Sequence, residues 1–463
     1  MKKPSAFQYD LAIRAVKAVN VILLTIPFAC CWYMAYADKI ASPYYARGNY
    51  LVIAFYAILY FTYGRIYEAF LISMNPLSEM IYSQGLAALV SNAILYFVIW
   101  LLSKHLPNLL PLLGVFVVQI GLSAAWSASA RLWYFRRWPA RRTLIIYDRR
   151  EDMEQLLEEP NMRKKFTVVG RMHVEEALAG MPLDLEGVDT AFLCGLHSHA
   201  RNILLKECIA ANVSAYITPC IGDVLMQSAH PIHMFHLPVM RAKRCQPDPV
   251  YLFIKRAMDI CISALALLIT SPILLVTAIA IKLTDGGPVF YKQCRLTRNG
   301  RAFQIYKFRS MRTDAEKDGV ARLSTGSADD RVTPVGKIIR MVRIDELPQL
   351  INILRGDMAL VGPRPERPEI AAQYCEALPE FALRLQVKAG LTGYAQVHGK
   401  YNTSPYDKLQ MDLIYIANPG IAQDLRILFA TVKILFVPES TEGIEEGEVT
   451  AQSRELREIL QQR

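Results

Sequence analysis

The stretch Lys337 to Pro365, KIIRMVRIDELPQLINILRGDMALVGPRP, gathers residue types that handle phosphate. Its periodicity predicts one helix in which Lys337, Arg340 and Arg343 precede an adjacent carboxylate pair, Asp345 and Glu346, and it closes on a rigid Gly-Pro-Arg-Pro loop. Guanidinium groups neutralise and orient phosphoryl oxygens, often through two bonds at once. A carboxylate close to them is held ionised and can act as a nucleophile or bind a divalent cation. The same spacing also describes a solvated charged face over an apolar stripe of Ile338, Ile339, Val342, Leu347, Leu350, Ile351 and Leu354. The remaining segments decide between the two.

A chain of 463 residues calls for two or three domains. Hydrophobic residues make up 53% and charged residues only 20%, with a mean hydropathy of +0.20, which points to a membrane protein with soluble parts. The net charge of +10 lies largely beside apolar segments, favouring an anionic membrane surface and phosphorylated ligands. Nucleic acid is not an expected partner, because no basic and aromatic recognition module occurs. Nine scattered cysteines without metal-type pairing suit free thiols in a reducing compartment. The first apolar run is long and lacks a small-residue cleavage site, so it does not read as a cleaved leader.

Residues 1–142 contain four apolar segments, Val16 to Ala37, Tyr50 to Tyr67, Met80 to Leu102 and Leu109 to Ala130, each near the ~20 residues a spanning helix needs. Lys2, Lys3, Arg14 and Lys17 lie before or at the start of the first, and Arg131, Arg136, Arg137, Arg141 and Arg142 follow the fourth, placing both ends in the cytoplasm. Trp126, Trp133 and Trp138 suit an interfacial belt. No acid or base sits at the centre of any span, so an ion relay is not expected. Residues 143–245 alternate strand candidates (TLIIY, FTVVG, DTAFLCG, SAYITP) with helix candidates (Glu151 to Glu159, Ala200 to Ala211), predicting a small α/β domain with a mostly parallel sheet. The turn after its first strand, Tyr147-Asp148-Arg149-Arg150, has no glycine to admit a pyrophosphate, so a structural or regulatory role is expected. His197 and His199, and His230, His233 and His236, read as core or surface histidines rather than a metal site.

Gln246 to Pro249 reads as a linker. The fifth apolar run, Ile260 to Ile281, carries Ser271-Pro272 at its middle and positive charge at both ends. Proline removes a helix hydrogen bond, and the serine hydroxyl can satisfy the freed backbone group. A helix-break-helix over 255–282 that enters and leaves through one leaflet keeps the downstream residues on the cytoplasmic side. Asp285 to Arg312 predicts a hairpin with Lys292, Arg295, Lys307 and Arg309 near one surface. Asp314 to Asp330 reads as a polar loop, Tyr406 to Ala417 as an amphipathic helix bearing Asp407, Asp412 and Tyr415, and Asp424 to Val437 as a helix lying on a membrane. After Pro438 the chain is acidic and glycine-bearing with little to bury, and residues 447–463 read as a C-terminal tail.

Six ordered blocks, KRAMD with the central Ser-Pro, GGPVFYKQ, FQIYKFRSM, IDELPQLINILRGDMALVGPRP, AGLTGYAQVHGK and MDLIYI, resemble the monotopic polyprenyl-phosphate glycosyl-1-phosphate transferases. The whole chain resembles their large form, the undecaprenyl-phosphate glucose or galactose phosphotransferases. The resemblance implies an α/β membrane protein with a four-helix transmembrane bundle, a degenerate Rossmann-like cytoplasmic domain, and a monotopic catalytic domain over 246–446 with a re-entrant helix. It implies a bacterial inner-membrane enzyme that moves sugar-1-phosphate from a UDP-sugar to undecaprenyl phosphate, starting exopolysaccharide, capsule or O-antigen repeat units. Asp345 would be the nucleophile and Glu346 the Mg²⁺ ligand, with Lys307, Arg340 and Arg364 clamping phosphate and Arg256 a candidate for the lipid phosphate. Tyr394, His398 and Lys400 depart from the family's usual Trp, Asn or Ser, and Arg, which bears on substrate preference. A homodimer is compatible with this architecture. The alternative from another class is a membrane transporter or receptor with a cytoplasmic sensor domain, in which the fifth run crosses the membrane.

Overall fold

A computed structural model describes residues 6–45, 47–148, 160–234, 236–312, 331–399 and 403–434. The expected helix at 151–159, the polar loop at 314–330, Lys400 and the tail at 447–463 lie outside the described residues. The chain divides into two compact units, Met1–Ile217 and Thr218–Arg463.

The first unit opens with α1 (Ala6–Cys31), which runs into a single π-helical turn (Trp32–Tyr36), followed by α2 (Arg47–Ile66), α3 (Leu77–Leu102) and α4 (Leu110–Arg137). Asn20, Gln84, Gln119 and Ser127 are wholly buried, whereas Ile22, Ile58, Leu101 and Val117 are exposed. Polar side chains inside and apolar ones outside are the arrangement of helices solvated by lipid, where every polar group must find an internal partner. They find partners in two layers, each tying all four helices together. In one, Tyr60 Oη donates to Asn20 Oδ1 (2.8 Å), Asn20 Nδ2 to Gln84 Oε1 (3.2 Å) and Gln84 Nε2 to Ser127 Oγ (3.2 Å). In the other, Asn92 Nδ2 donates to Gln119 Oε1 (2.9 Å), and Gln119 Nε2 to Tyr56 Oη (2.7 Å) and the Leu24 carbonyl (2.8 Å).

Among the described residues of this unit, α1 with its π turn, α3 and α4 are long and apolar enough to cross a membrane. The second expected span, α2, does not meet that composition, although 20 residues would cover about 30 Å. Asn49, Arg65 and four tyrosines make it more polar, and two of the tyrosines, Tyr56 and Tyr60, supply hydroxyls of the polar layers.

The same unit continues into β1 (Arg141–Tyr147), α5 (Pro160–Arg163), β2 (Phe166–His173), α6 (Val174–Ala179), β3 (Thr190–Cys194), α7 (Ser198–Ala210) and β4 (Ser214–Ile217). The strands form one parallel sheet in the order β2-β1-β3-β4. Its core of Ile146, Leu193, Leu204 and Cys208 comes from the strand and helix runs the periodicity predicts.

The second unit begins at Thr218, not near residue 246. Helix α8 (Ile221–Gln227) buries Ile221 and Val224 against Leu409 and Leu413 of α14 (Pro405–Ala417), and a hairpin of β5 (His230–Met234) and β6 (Leu237–Arg241) follows. The Pro-rich linker then caps a helix: the Asp248 side chain accepts from the Val250 N–H at 2.8 Å and Pro249 takes the first helical position.

This helix, α9 (Pro249–Asp285), is 37 residues long and is also apolar enough to span. Contrary to the expected helix-break-helix, its helical assignment continues through Pro272 and ends only at Gly286, where φ is +71°. Pro272 cannot donate to the Leu268 carbonyl four residues back. The Ser271 hydroxyl does so instead at 2.8 Å, which keeps the helix continuous. Both flanks pack on the same unit: Lys255 pairs with Asp424 (2.7 Å), while Leu274, Ala278 and Ile281 meet Phe308 and Ile339. Between them Leu265, Leu268, Ile269, Leu275 and Val276 are exposed.

The remaining scaffold comprises β7 (Phe290–Leu296) paired antiparallel with β8 (Ala302–Phe308), α10 (Pro334–Met341), α11 (Gln349–Arg355), β9 (Ala359–Val361), α12 (Pro368–Ala377), β10 (Gly390–Thr392), α13 (Tyr394–His398), α14 and α15 (Ile421–Ile434). Helix α15 turns Asp424, Ile427 and Ala430 into the core, so one face of the expected membrane-surface helix is occupied by protein.

Parallel β9 and β10 pair Ala359 with Gly390 and Val361 with Thr392, and Gly362, just after β9, lies against Gly390. A Cβ on Gly390 would collide with the Gly362 backbone, and one on Gly362 with the Lys388 carbonyl. Gly390→Ala is therefore expected to cost on the order of 1 to 3 kcal/mol. An unchanged thermal midpoint in the purified variant would contradict this close approach.

Candidate active site

The carboxylate pair does not sit within one helix. Helix α10 stops at Met341, Arg343 takes a left-handed conformation with φ of +55°, and Asp345 and Glu346 lie on the short 3-10 turn Ile344–Glu346. Helix α11 starts after Pro348. A non-glycine residue at positive φ is strained, and the surrounding structure must impose it. Pro348 was the available sequence signal, since helices usually end before the residue preceding a proline.

Three segments supply the charges around this turn. Strand β8 brings Lys307, whose Nζ lies 3.0 Å from Glu346 Oε1. The loop after β9 brings Arg364, whose NH2 lies 2.9 Å from the same oxygen. Arg340, from the end of α10, acts on Asp345 through its charge, as Arg343 does on Glu346. Strand alternation places Lys307 and Arg295 on one face of the hairpin and Lys292 on the other, over the Tyr306 ring. The four cations expected on one surface are thus divided.

The two carboxylates differ electrostatically. Burial pushes Asp345 up to about 6 and the Glu346 charge pushes the same way, against Lys307, Arg340 and Arg364. Burial also opposes ionisation of Glu346, but Lys307 and Arg364 outweigh it and hold that carboxyl far below the usual range. The residue held firmly ionised by the cations is therefore Glu346. Asp345 is left as an electron-rich carboxylate with weaker direct compensation. As a metal site the pair offers hard oxygen donors of the kind Mg²⁺ takes, usually one or two carboxylates completed by water and substrate phosphates. Both cation contacts fall on Glu346 Oε1, so Oε2 and the Asp345 oxygens fit that donor class. Among the described residues no third His, Cys, Asp or Glu joins them.

Arg256 is engaged elsewhere. Its guanidinium donates to the Ile353 and Leu354 carbonyls at the end of α11 (2.6 and 2.8 Å), which ties α9 to the scaffold. Beside it Asp424 accepts from Lys255, Tyr251 and Tyr415 at 2.7, 2.9 and 2.8 Å. Ser271 and Pro272 lie in the exposed middle of α9 and take no part in the carboxylate cluster. Composition alone did not expose a second group, Arg295, Glu366, Arg384 and Asp412, which encircles the Gly-Pro-Arg-Pro loop.

Long apolar helices together with an α/β unit holding a buried carboxylate pair among cations define the class, and comparison with known proteins supplies the family. Residues 250–438 match the family model described as bacterial sugar transferase. The chain is 39% identical over 234 residues to the UDP-N-acetylgalactosamine-undecaprenyl-phosphate N-acetylgalactosaminephosphotransferase of Aeromonas hydrophila, covering 50% of this chain and 54% of that one. It thus spans about half the length of that relative. It is 41% identical over 191 residues to the UDP-glucose:undecaprenyl-phosphate glucose-1-phosphate transferase of Caulobacter vibrioides, covering 40% of this chain and 71% of the relative. Identity to an exopolysaccharide production protein of Rhizobium leguminosarum is 43% over 203 residues, 42% of this chain and 98% of the relative. The chain belongs to the bacterial sugar transferase family. That membership favours the transferase over the transporter or receptor alternative.

The raised Asp345 gives a stability prediction with a definite sign. Because its folded value of about 6 lies above the unfolded value near 3.9, its ionisation destabilises the fold as pH rises between them. Asp345→Asn is expected to stabilise the protein at pH 7.5 by roughly 1 to 3 kcal/mol, a gain that shrinks toward pH 5. A thermal midpoint that falls in the variant at pH 7.5 would contradict the buried-charge account.

Proposed function

We propose that this protein transfers a sugar-1-phosphate from a UDP-sugar to undecaprenyl phosphate, releasing UMP, in two steps through an aspartyl intermediate. The observation that carries the reading is the buried Asp345 beside a Glu346 already neutralised by Lys307 and Arg364. An Asp345 oxygen attacks the β-phosphorus of the donor. The bond from that phosphorus to the bridging oxygen breaks, UMP departs with the electron pair, and the phospho-sugar stays on the aspartate. An oxygen of undecaprenyl phosphate then attacks the same phosphorus and expels the Asp345 carboxylate, giving undecaprenyl-diphospho-sugar. Two displacements let each anion be positioned in turn.

Lys307, Arg340 and Arg364 offset charge on the donor phosphates, an effect worth on the order of 2 to 4 kcal/mol per well-placed donor. Mg²⁺ held by Glu346 would supply further neutralisation of those oxygens. The cytoplasmic face of the bacterial inner membrane is the proposed location, because a UDP-sugar is a cytoplasmic donor. Although helix α9 is continuous through Pro272, both its flanks pack on the same unit while its middle exposes leucine, isoleucine and valine, which supports a helix whose two ends stay on one side of the membrane. The product would begin an exopolysaccharide, capsule or O-antigen unit.

UDP-glucose or UDP-galactose is the proposed donor. The Aeromonas relative is named for an N-acetylgalactosamine donor and the Caulobacter relative for glucose, so the test spans all three sugars. UMP release with undecaprenyl phosphate is expected for at least one member of that panel; release of UDP would point to a different reaction. Turnover by the wild type is expected to fall as pH drops through about 6, where Asp345 takes up its proton. Asp345→Asn should lower UMP release by on the order of a thousandfold or more. An acid limb near pH 4, or a variant with most of its turnover, would count against Asp345 as the attacking group.

A further inference from the structure

Arg364 stands on a loop with few hydrogen-bond donors of its own. Pro363 and Pro365 lack N–H groups, so few backbone donors exist within Gly362 to Glu366. The carbonyls of Pro363, Arg364, Pro365 and Glu366 are instead bonded from outside. The Pro363 carbonyl accepts from the Gly390 N–H (2.9 Å) and the Glu366 carbonyl from the Leu296 N–H (3.0 Å). Between them the Arg364 carbonyl accepts from Arg384 NH2 (3.0 Å) and the Pro365 carbonyl from Arg295 NH1 (2.9 Å). A water-sized cavity of about 20 Å³ bordered by Pro363, Pro365, Cys375 and Phe381 lies behind the loop.

Arg384 is the hub of this arrangement. Its side chain is 6% exposed and lies over the Phe381 ring. Its Nε and NH2 reach Asp412 Oδ2 at 3.0 and 2.7 Å, and its NH1 lies 3.5 Å from Glu366 Oε1. Asp412, from α14, is 2% exposed in its side chain and fixes the orientation of the guanidinium fork. A buried ion pair is weak evidence for stability, since its desolvation cost offsets much of its attraction. Here the remaining donors of the pair point at the loop that delivers Arg364 to Glu346.

We propose that Arg384 and Asp412 are positioning residues, which hold the Gly-Pro-Arg-Pro loop so that the Arg364 guanidinium meets Glu346 and the donor phosphates. The inference rests on the transferase reading for its chemistry. Its geometric content concerns the placement of Arg364 and can be tested separately.

The test is a double-mutant cycle on the full-length protein in membranes or detergent, with Arg364→Gln, Arg384→Lys and the double variant. Asp412→Asn serves as a second probe of the same pair, and thermal midpoints are measured for all. The cycle is read on the Kd for UDP and on UMP release. Lysine keeps the charge opposite Asp412 but cannot span Asp412, Glu366 and the Arg364 carbonyl together. Arg384→Lys should therefore lower UMP release about tenfold or more and weaken UDP binding, with little change in thermal midpoint. The double variant should be no worse than Arg364→Gln alone.

Multiplicative losses in the double variant would overturn the proposal, and so would full rescue by lysine. The same holds if Asp412→Asn loses thermal stability while keeping wild-type turnover and UDP affinity. A wild type that binds UDP without releasing UMP would sink the transferase reading, and the Kd cycle would still judge the positioning role.

Discussion

One carboxylate oxygen, Oε1 of Glu346, is shared by Lys307 at 3.0 Å and Arg364 at 2.9 Å, and the arrangement of the second unit follows from that contact. Three separate chain segments have to converge on it. Strand β8 must present Lys307 on the face opposite Lys292, the loop after β9 must hold Arg364, and the chain must leave its helix at Arg343 to turn Asp345 and Glu346 inward. Two carboxylates side by side in a buried site repel each other, and the cations relieve only one of them fully. The asymmetry between Asp345 and Glu346 is thus a product of where the cations land. It gives adjacent, similar residues different chemistry.

The membrane-facing parts obey the same accounting of charge and hydrogen bonds. In the first unit, asparagine, glutamine and tyrosine are buried while isoleucine and valine face outward, and the polar groups link four helices through two layers of bonds. Helix α9 solves a single-residue version of the problem. Pro272 leaves the Leu268 carbonyl without its usual donor, and Ser271 supplies one from the same turn. Lys255, Arg256 and Asp259 then bind α9 to Asp424, to the Ile353 and Leu354 carbonyls and to the Leu360 N–H. The exposed apolar middle of the helix is therefore carried by the same unit that holds the carboxylates.

Much of this was legible in the residues because local signals and motif order agreed. The parallel strands after Arg141, the hairpin through Asn299, the basic residues near Asp345 and the apolar fifth run are short-range patterns. Features that depend on distant partners were not. Arg256 carries the composition of a phosphate ligand, and two of its donors go to carbonyls 97 and 98 residues away. Asp412 reads as one charge on an amphipathic helix until Arg384, 28 residues earlier, is found against it. The break at Arg343 was hidden because the apolar spacing remains helical on both sides of it, although Pro348 marked the place. The polar layers escaped a search for acids and bases, since neutral asparagine and glutamine do the bonding.

The central claim is that Asp345 carries the phospho-sugar between the two displacements. It is tested most directly by mixing the protein with a UDP-sugar labelled in the β-phosphate, without lipid acceptor, then quenching and mapping the label by peptide mass. The account predicts label on the peptide containing Asp345, with UMP released in proportion, and loss of that label when undecaprenyl phosphate is added. UMP release that requires undecaprenyl phosphate from the outset, with no label on the protein at any time, would contradict it.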